Sequence, residues 1–245
     1  MTTTIRYRGI EYQAEDALDI STGFRDGEQV NCYYAPRFTS QPVIAGSFIG
    51  DTSRGGPVNY RNVHINPHGN GTHTECAAHI GAPDCNIREV LKGCFFRAQL
   101  ISVTPEQQGP DQIITAEMVI PAITADAEAV IIRTLPNHPE KLSRQYSGTN
   151  PPYLDPEICR YLAEQQIEHL LVDLPSLDRE EDGGRLLAHK AFWQYPHATR
   201  KNATITELVY VDEHIPDGHY LLNLQIAPLE LDATPSRPML LRPVS

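Results

Sequence analysis

The sequence is 245 residues long, 40% hydrophobic and 21% charged, a composition that can bury a sizeable core and argues against a disordered chain. A formal net charge of −11, without any Lys/Arg cluster, disfavours a partner bound through a nucleic-acid backbone. No apolar run approaches the ~20 residues of a membrane span, and the opening MTTTIRYRGIEYQ lacks the apolar stretch of a secretory signal. A cytoplasmic protein without membrane contact is therefore expected.

In chain order, the region from GIEYQAEDALDIST to YRNVHIN carries more strand and turn signals than helix signals. The stretches DTSRGGPVNYRN, NPHGNGT, RQYSGTNPPYLDP and DREEDGG supply the Gly, Pro, Asn and Asp that turns demand. AEAVIIRT and EHLLVDL suit buried strands, although such short apolar runs are also compatible with buried helix. DPEICRYLAEQQIE predicts a helix capped by Asp155, with Pro156 in its first position and Ile158, Leu162 and Ile167 near one face. RLLAHKAFWQY reads as a second helix, and ATITELVYV alternates as a strand. With no internal repeat or charge block, the expectation is one mixed α/β domain over residues 1–245.

Chemistry concentrates in NPHGNGTHTECAAHI, residues 66–80, which hold three of the ten histidines. If THTE is extended, His73 and Glu75 share a face, an imidazole and carboxylate pair suited to zinc, manganese or iron. His79 joins them only through a bend or helical turn after the strand. His68 returns toward His73 only if the glycines of GNG let the chain double back. For any one of these histidines a turn-stabilising hydrogen bond is the plainer role; their concentration beside a glutamate favours a functional one. Further along, His189 falls on the apolar helix RLLAHKAFW. Glu207 falls in an apolar strand, where an unpaired carboxylate is expensive unless a metal or an ion pair offsets the cost. Asp173, at a strand end, is read as organising the next turn. Tyr146, Tyr153 and Trp193 are read as packing residues before pocket residues.

The five cysteines form no C-x-x-C pair, so reduced thiols are expected. Cys76 alone lies in the histidine cluster; in an extended chain it points away from His73 and Glu75, which makes a cysteine hydrolase the weaker reading.

The cluster HGNGTHTECAAH resembles the H-x-G-T-H-x-D-x-P-x-H signature of the cyclase family, which includes bacterial kynurenine formamidase and isatin hydrolase. Gly71, Thr72 and His73 match its central G-T-H, Glu75 stands at its aspartate and His79 matches its last histidine. DIST, AEAVIIRTLPN, LLVDLPSLD, LLAHKAFW, ITELVYV and the ending YLLNLQIAPLELDATPSRPMLL look like successive family blocks in order. The resemblance implies an α/β fold of the swivelling β/β/α type, a mixed sheet with helices, and a homo-oligomer, dimer or tetramer. It implies a divalent metal, Zn or Mn, held by His73 and Glu75 with His189 and Glu207, and His79 as acid/base. The implied activity is hydrolysis of a small amide, formamide, cyclic amide or lactone. Three departures stand out. Gly69 occupies the first histidine position, with His68 one residue before it as the substitute metal ligand. Glu75 replaces the aspartate, and Ala77 replaces the proline. A metal-poor family member that binds a small molecule is the alternative that Gly69 keeps open.

Overall fold

The run Ala129–Thr134 lacks polar alternation because both of its faces are buried, as expected of a central strand in a parallel sheet. In the computed structural model, which describes residues 3–244, it lies within a nine-stranded sheet. In chain order the strands are β1 (Leu18–Asp19), β2 (His73–Cys76), β3 (Phe95–Val103), β4 (Ala129–Thr134), β5 (His169–Val172), β6 (Thr204–Glu207), β7 (Gly218–Asn223), β8 (Ala233–Pro235) and β9 (Met239–Leu241). Their spatial order is β8-β2-β6-β5-β4-β3-β7-β9-β1. The four strands β3, β4, β5 and β6 are parallel, and antiparallel strands flank them on both sides. Both runs expected as buried strands are strands, so their helical alternative falls.

Residues alternate between two cores along each strand. Val130, Ile132, Leu170, Val172 and Ile205 face the helices α2 (Pro156–Glu164) and α3 (Leu187–Trp193), meeting Ile158, Leu162, Phe192 and Trp193. Ala129, Ile131 and Leu171 face the other way, where the curled sheet and its loops supply Leu100, Val209, Tyr220, Leu222 and Leu240. The mixed α/β architecture is as expected. Helix α2 also starts as predicted, with the Asp155 carboxylate accepting from Glu157 N–H and Pro156 in the first turn. It ends sooner than its apolar pattern suggests. Gln166 adopts a left-handed φ of 58°, turning the chain so that buried Ile167 leads into β5 instead of extending the helix.

The early chain forms strands and turns, including the antiparallel pairs Thr4–Tyr7 with Ile10–Gln13 and Thr39–Pro42 with Arg61–His64. ATITELVYV is strand only to Glu207, because Leu208 turns left-handed at φ 56°. The parallel strands β6 and β5 thus end at Glu207 and Val172. Among the described residues, no helix is long and apolar enough to cross a membrane.

Candidate metal centre

The core of the site is set by register. Strand β2 runs antiparallel to β6 with His73 opposite Glu207 and Thr74 opposite Thr206. Directly opposed side chains lie on one face, so His73 and Glu207 meet, and Glu75 joins them two residues along. The Thr74 and Thr206 hydroxyls are 2.8 Å apart on the other face, and Thr72 Oγ1 donates to the Leu208 carbonyl, which pins the alignment. After Cys76 the chain makes the 3-10 turn Ala77–Ile80, closed by left-handed Gly81, whose N–H reaches the Ala77 and Ala78 carbonyls. This is the turn that His79 requires, and it forms with Ala77 in place of the family's proline. His79 Nδ1 comes to 3.7 Å from Glu75 Oε2.

His68 arrives on the single helical turn α1 (Pro67–Asn70), capped by the Asn66 side chain and tied down by the bond from Cys32 N–H to the Gly69 carbonyl. Its Nδ1 lies 3.3 Å from Glu75 Oε2, and its ring packs against those of His73 and His79 with centroids 5.1 and 4.4 Å away. Position 69 itself has no room for a ligand. A Cβ there would sit 2.3 Å from the Ala35 Cβ and 3.3 Å from the Cys32 carbonyl oxygen.

His189 is delivered by α3, and Asp178 both starts that helix and orients the ring. Its carboxylate accepts from the Ala188 and His189 N–H groups and stands 2.6 Å from His189 Nδ1. A carboxylate can only accept, so the proton sits on Nδ1 and Nε2 turns inward. There it lies 3.1 Å from Glu75 Oε1 and 3.5 Å from Glu207 Oε1. His73 is oriented the same way, with Nδ1 3.1 Å from the Gly71 carbonyl and Nε2 3.4 Å from Glu207 Oε2.

Pair by pair, these spacings are those of ligands around a cation. Ligand atoms at 2.0–2.2 Å from one tetrahedral ion stand about 3.3–3.6 Å apart. His73 Nε2, Glu75 Oε2 and Glu207 Oε1 are all buried yet without a hydrogen-bond partner, an expensive state unless something else coordinates them. Two donor groups share Glu75: His68 with His79, and His73 with Glu207.

The protonation pattern agrees. Burial alone would raise the pKa of Glu75, but the His79 charge, the His189 hydrogen bond at Oε1 and the nearby His68 ring hold it well below the usual range. Burial disfavours charge on His68 too, yet bonding to Asp232 and Glu75 pushes its pKa up to about 10. His189 is likewise raised against its burial, by Asp178, Glu207 and Glu75. Without metal, imidazolium protons neutralise the carboxylates; a divalent ion bound to the same atoms must displace them. Burial pushes the Cys76 thiol up to about 12, so it is a poor nucleophile at neutral pH. All five cysteines are free thiols.

The cluster opens onto a cavity of about 180 Å³ bordered by Tyr33, Pro175, Arg179 and Leu186. A larger groove of about 560 Å³ beside Thr22 and Arg237 holds none of the histidines. Tyr146, Tyr153 and Trp193 do not border the 180 Å³ cavity; the Trp193 indole N–H donates to the Ala203 carbonyl inside the core. Asp173 takes bonds from the Thr134 N–H and hydroxyl and from Lys141 Nζ, which organises the strand end. Sequence reasoning missed Tyr33, Asp178 and Asp232. Asp178 had a faint signal, a carboxylate in SLDRE shortly before a candidate histidine. Asp232, whose Oδ2 lies 3.0 Å from His68 Nε2 and 3.3 Å from His79 Nδ1, had none.

The Cyclase family model matches residues 6–179, a span that holds His68, His73, Glu75 and His79 and stops before His189, Glu207 and Asp232. No curated protein matches the sequence. Among solved structures, the chain is similar to a potential metal-dependent hydrolase with cyclase activity (TM-score 0.68, 17% identity, covering 94% of this chain and 99% of that one). It is similar to an isatin hydrolase bound to the product analogue thioisatinate (TM-score 0.69, 14% identity, 94% and 93% covered). A third is isatin hydrolase A from Labrenzia aggregata bound to benzyl benzoate (TM-score 0.66, 15% identity, 92% and 93% covered). At these identities the likeness establishes a shared fold.

Proposed function

Because this chain belongs to the Cyclase family, we propose that it is a metal-dependent hydrolase of a small amide, formamide, cyclic amide or lactone. The observation that carries the reading is the convergence of three buried, unpartnered donor atoms, on His73, Glu75 and Glu207, with the inward Nε2 of His189 beside them. These four residues, with His68, would hold the ion, Zn or Mn. When bound, such an ion lowers the pKa of its water to about 7 in favourable zinc sites and polarises the substrate carbonyl.

The chain's own groups supply the rest. His79, half-buried at the cavity, accepts the proton of the attacking water and passes it to the leaving nitrogen or oxygen, a role suited to an imidazole near neutral pH. Tyr33, Pro175 and Leu186 wall a space of about 180 Å³ that suits a small substrate and excludes a folded chain. We also propose a homo-oligomer, dimer or tetramer, supported by Val63 on the strand Arg61–His64 and by Ile44 and Tyr60 in the adjoining segments, all 57–60% exposed. The free thiols suit a cytoplasmic, reducing location.

The deciding experiment is metal content by inductively coupled plasma mass spectrometry on untagged protein, beside His73→Ala, followed by an amide and lactone screen. Near-stoichiometric metal, lost in the variant, supports the reading. No metal after reconstitution with Zn²⁺ or Mn²⁺ refutes it in favour of a small-molecule binding protein, the alternative that Gly69 raises.

A further inference from the structure

We propose that Asp232 is the positioning residue that lets His68 substitute for a histidine at position 69, turning the His68 ring so that it ligates through Nδ1. The inference rests on the metal-site reading above.

Position 69 is closed by Ala35, so a ligand from this turn has to come from His68, whose backbone lies one residue earlier. A neutral imidazole offers one lone pair, and the hydrogen bond at its other nitrogen decides which. His73 and His189 are anchored at Nδ1, by the Gly71 carbonyl and by Asp178, and turn Nε2 inward. His68 is reversed: Nε2 is the anchored atom, 3.0 Å from Asp232 Oδ2, and Nδ1 faces Glu75 at 3.3 Å. The shifted backbone is accommodated by exchanging the roles of the two nitrogens, and an acceptor on the far side of the ring makes that exchange hold.

Asp232 is placed for this by the sheet. Its carbonyl accepts from Cys76 N–H, and the next residue, Ala233, pairs with Glu75 in β8. The same Oδ2 is 3.3 Å from His79 Nδ1, so one oxygen orients both half-buried imidazoles; Glu75 lies at the opposite nitrogen of His68 and, at 3.7 Å, near the same Nδ1 of His79. Among the described residues, His79 Nε2 makes no hydrogen bond, which leaves it available to a substrate.

The test uses zinc-loaded, ¹⁵N-labelled protein and long-range ¹H–¹⁵N correlation, which distinguishes metal-bound from protonated ring nitrogens. The expected result is His68 bound through Nδ1 and protonated at Nε2, against His73 and His189 bound through Nε2. His68 bound through Nε2, or unbound while the other ligands hold metal, overturns the inference and leaves the metal site standing; a wild type that takes up no metal overturns both. Chelator competition then compares Asp232→Ala and Asp232→Asn. Affinity should fall about 10–100-fold in D232A, with an altered Co²⁺ visible spectrum. D232N should stay within a few-fold of wild type, because its amide oxygen still accepts from Nε2–H. Equal affinity and spectrum in D232A, or equal loss in both variants, also overturns it. The wild-type assignment decides by itself if D232A does not fold.

Discussion

Gly69→Ala gives a direct reading of how tightly the α1 turn is held. The glycine is not in the left-handed region, so alanine adds no backbone strain, and any cost must come from contact. The new methyl would sit 2.3 Å from the Ala35 Cβ, whereas carbon atoms rest at about 3.5–4.0 Å, so something must move by more than 1 Å. Neither methyl has a rotamer to escape through. Ala35 is further held by its N–H bond to the Cys32 carbonyl and by its own carbonyl, which accepts from Asn31 Nδ2. Overpacking of this kind costs about 1–3 kcal/mol, and the fixed surroundings point to about 2–3. For a chain of this size that corresponds to a fall in Tm of roughly 4–12 °C. Thermal unfolding of G69A, A35G and the double variant measures it as a cycle, in which A35G should recover most of the loss. Metal affinity should fall along with stability, since the same turn carries His68. An unchanged Tm in G69A, or no recovery with A35G, refutes the closed-position argument.

His79→Ala should lower turnover by about 10²–10⁴-fold with bound metal retained, as seen by steady-state rates beside metal analysis; undiminished turnover removes His79 from the mechanism. Lys141→Met leaves Asp173 buried without its cation, at about 3–5 kcal/mol. Calorimetry should show a fall in Tm of roughly 6–20 °C, largely restored by adding Asp173→Asn. In metal-free protein the pKa of His68 is raised from 6.5 to about 10, so its charge contributes fully below about 6.5 and the contribution is lost as pH rises through about 10. The Tm gap between wild type and His68→Asn, measured with chelator, should therefore shrink from pH 7 to pH 10, and a gap that widens reverses the sign argued here. Cys76→Ser should keep near-normal turnover; its abolition would revive the thiol nucleophile.

What the sequence determined by itself was local. Period-two alternation put His73 and Glu75 on one face once the segment was taken as extended, Asp155 and Pro156 marked a helix start, and the unbroken runs of β4 and β5 marked buried segments that the structure resolves as strands rather than helices. The G-T-H motif carried the resemblance, and His73 with Glu75, two residues apart on one strand, need no tertiary information to meet. Only the tertiary structure decided the rest. It filled position 69 with Ala35, set His73 opposite Glu207 through strand register, tied His189 to Asp178, and brought Asp232 to His68 from 164 residues along the chain. Such pairings depend on which backbones the sheet lays side by side, and sequence neighbours carry no trace of that until the chain has folded.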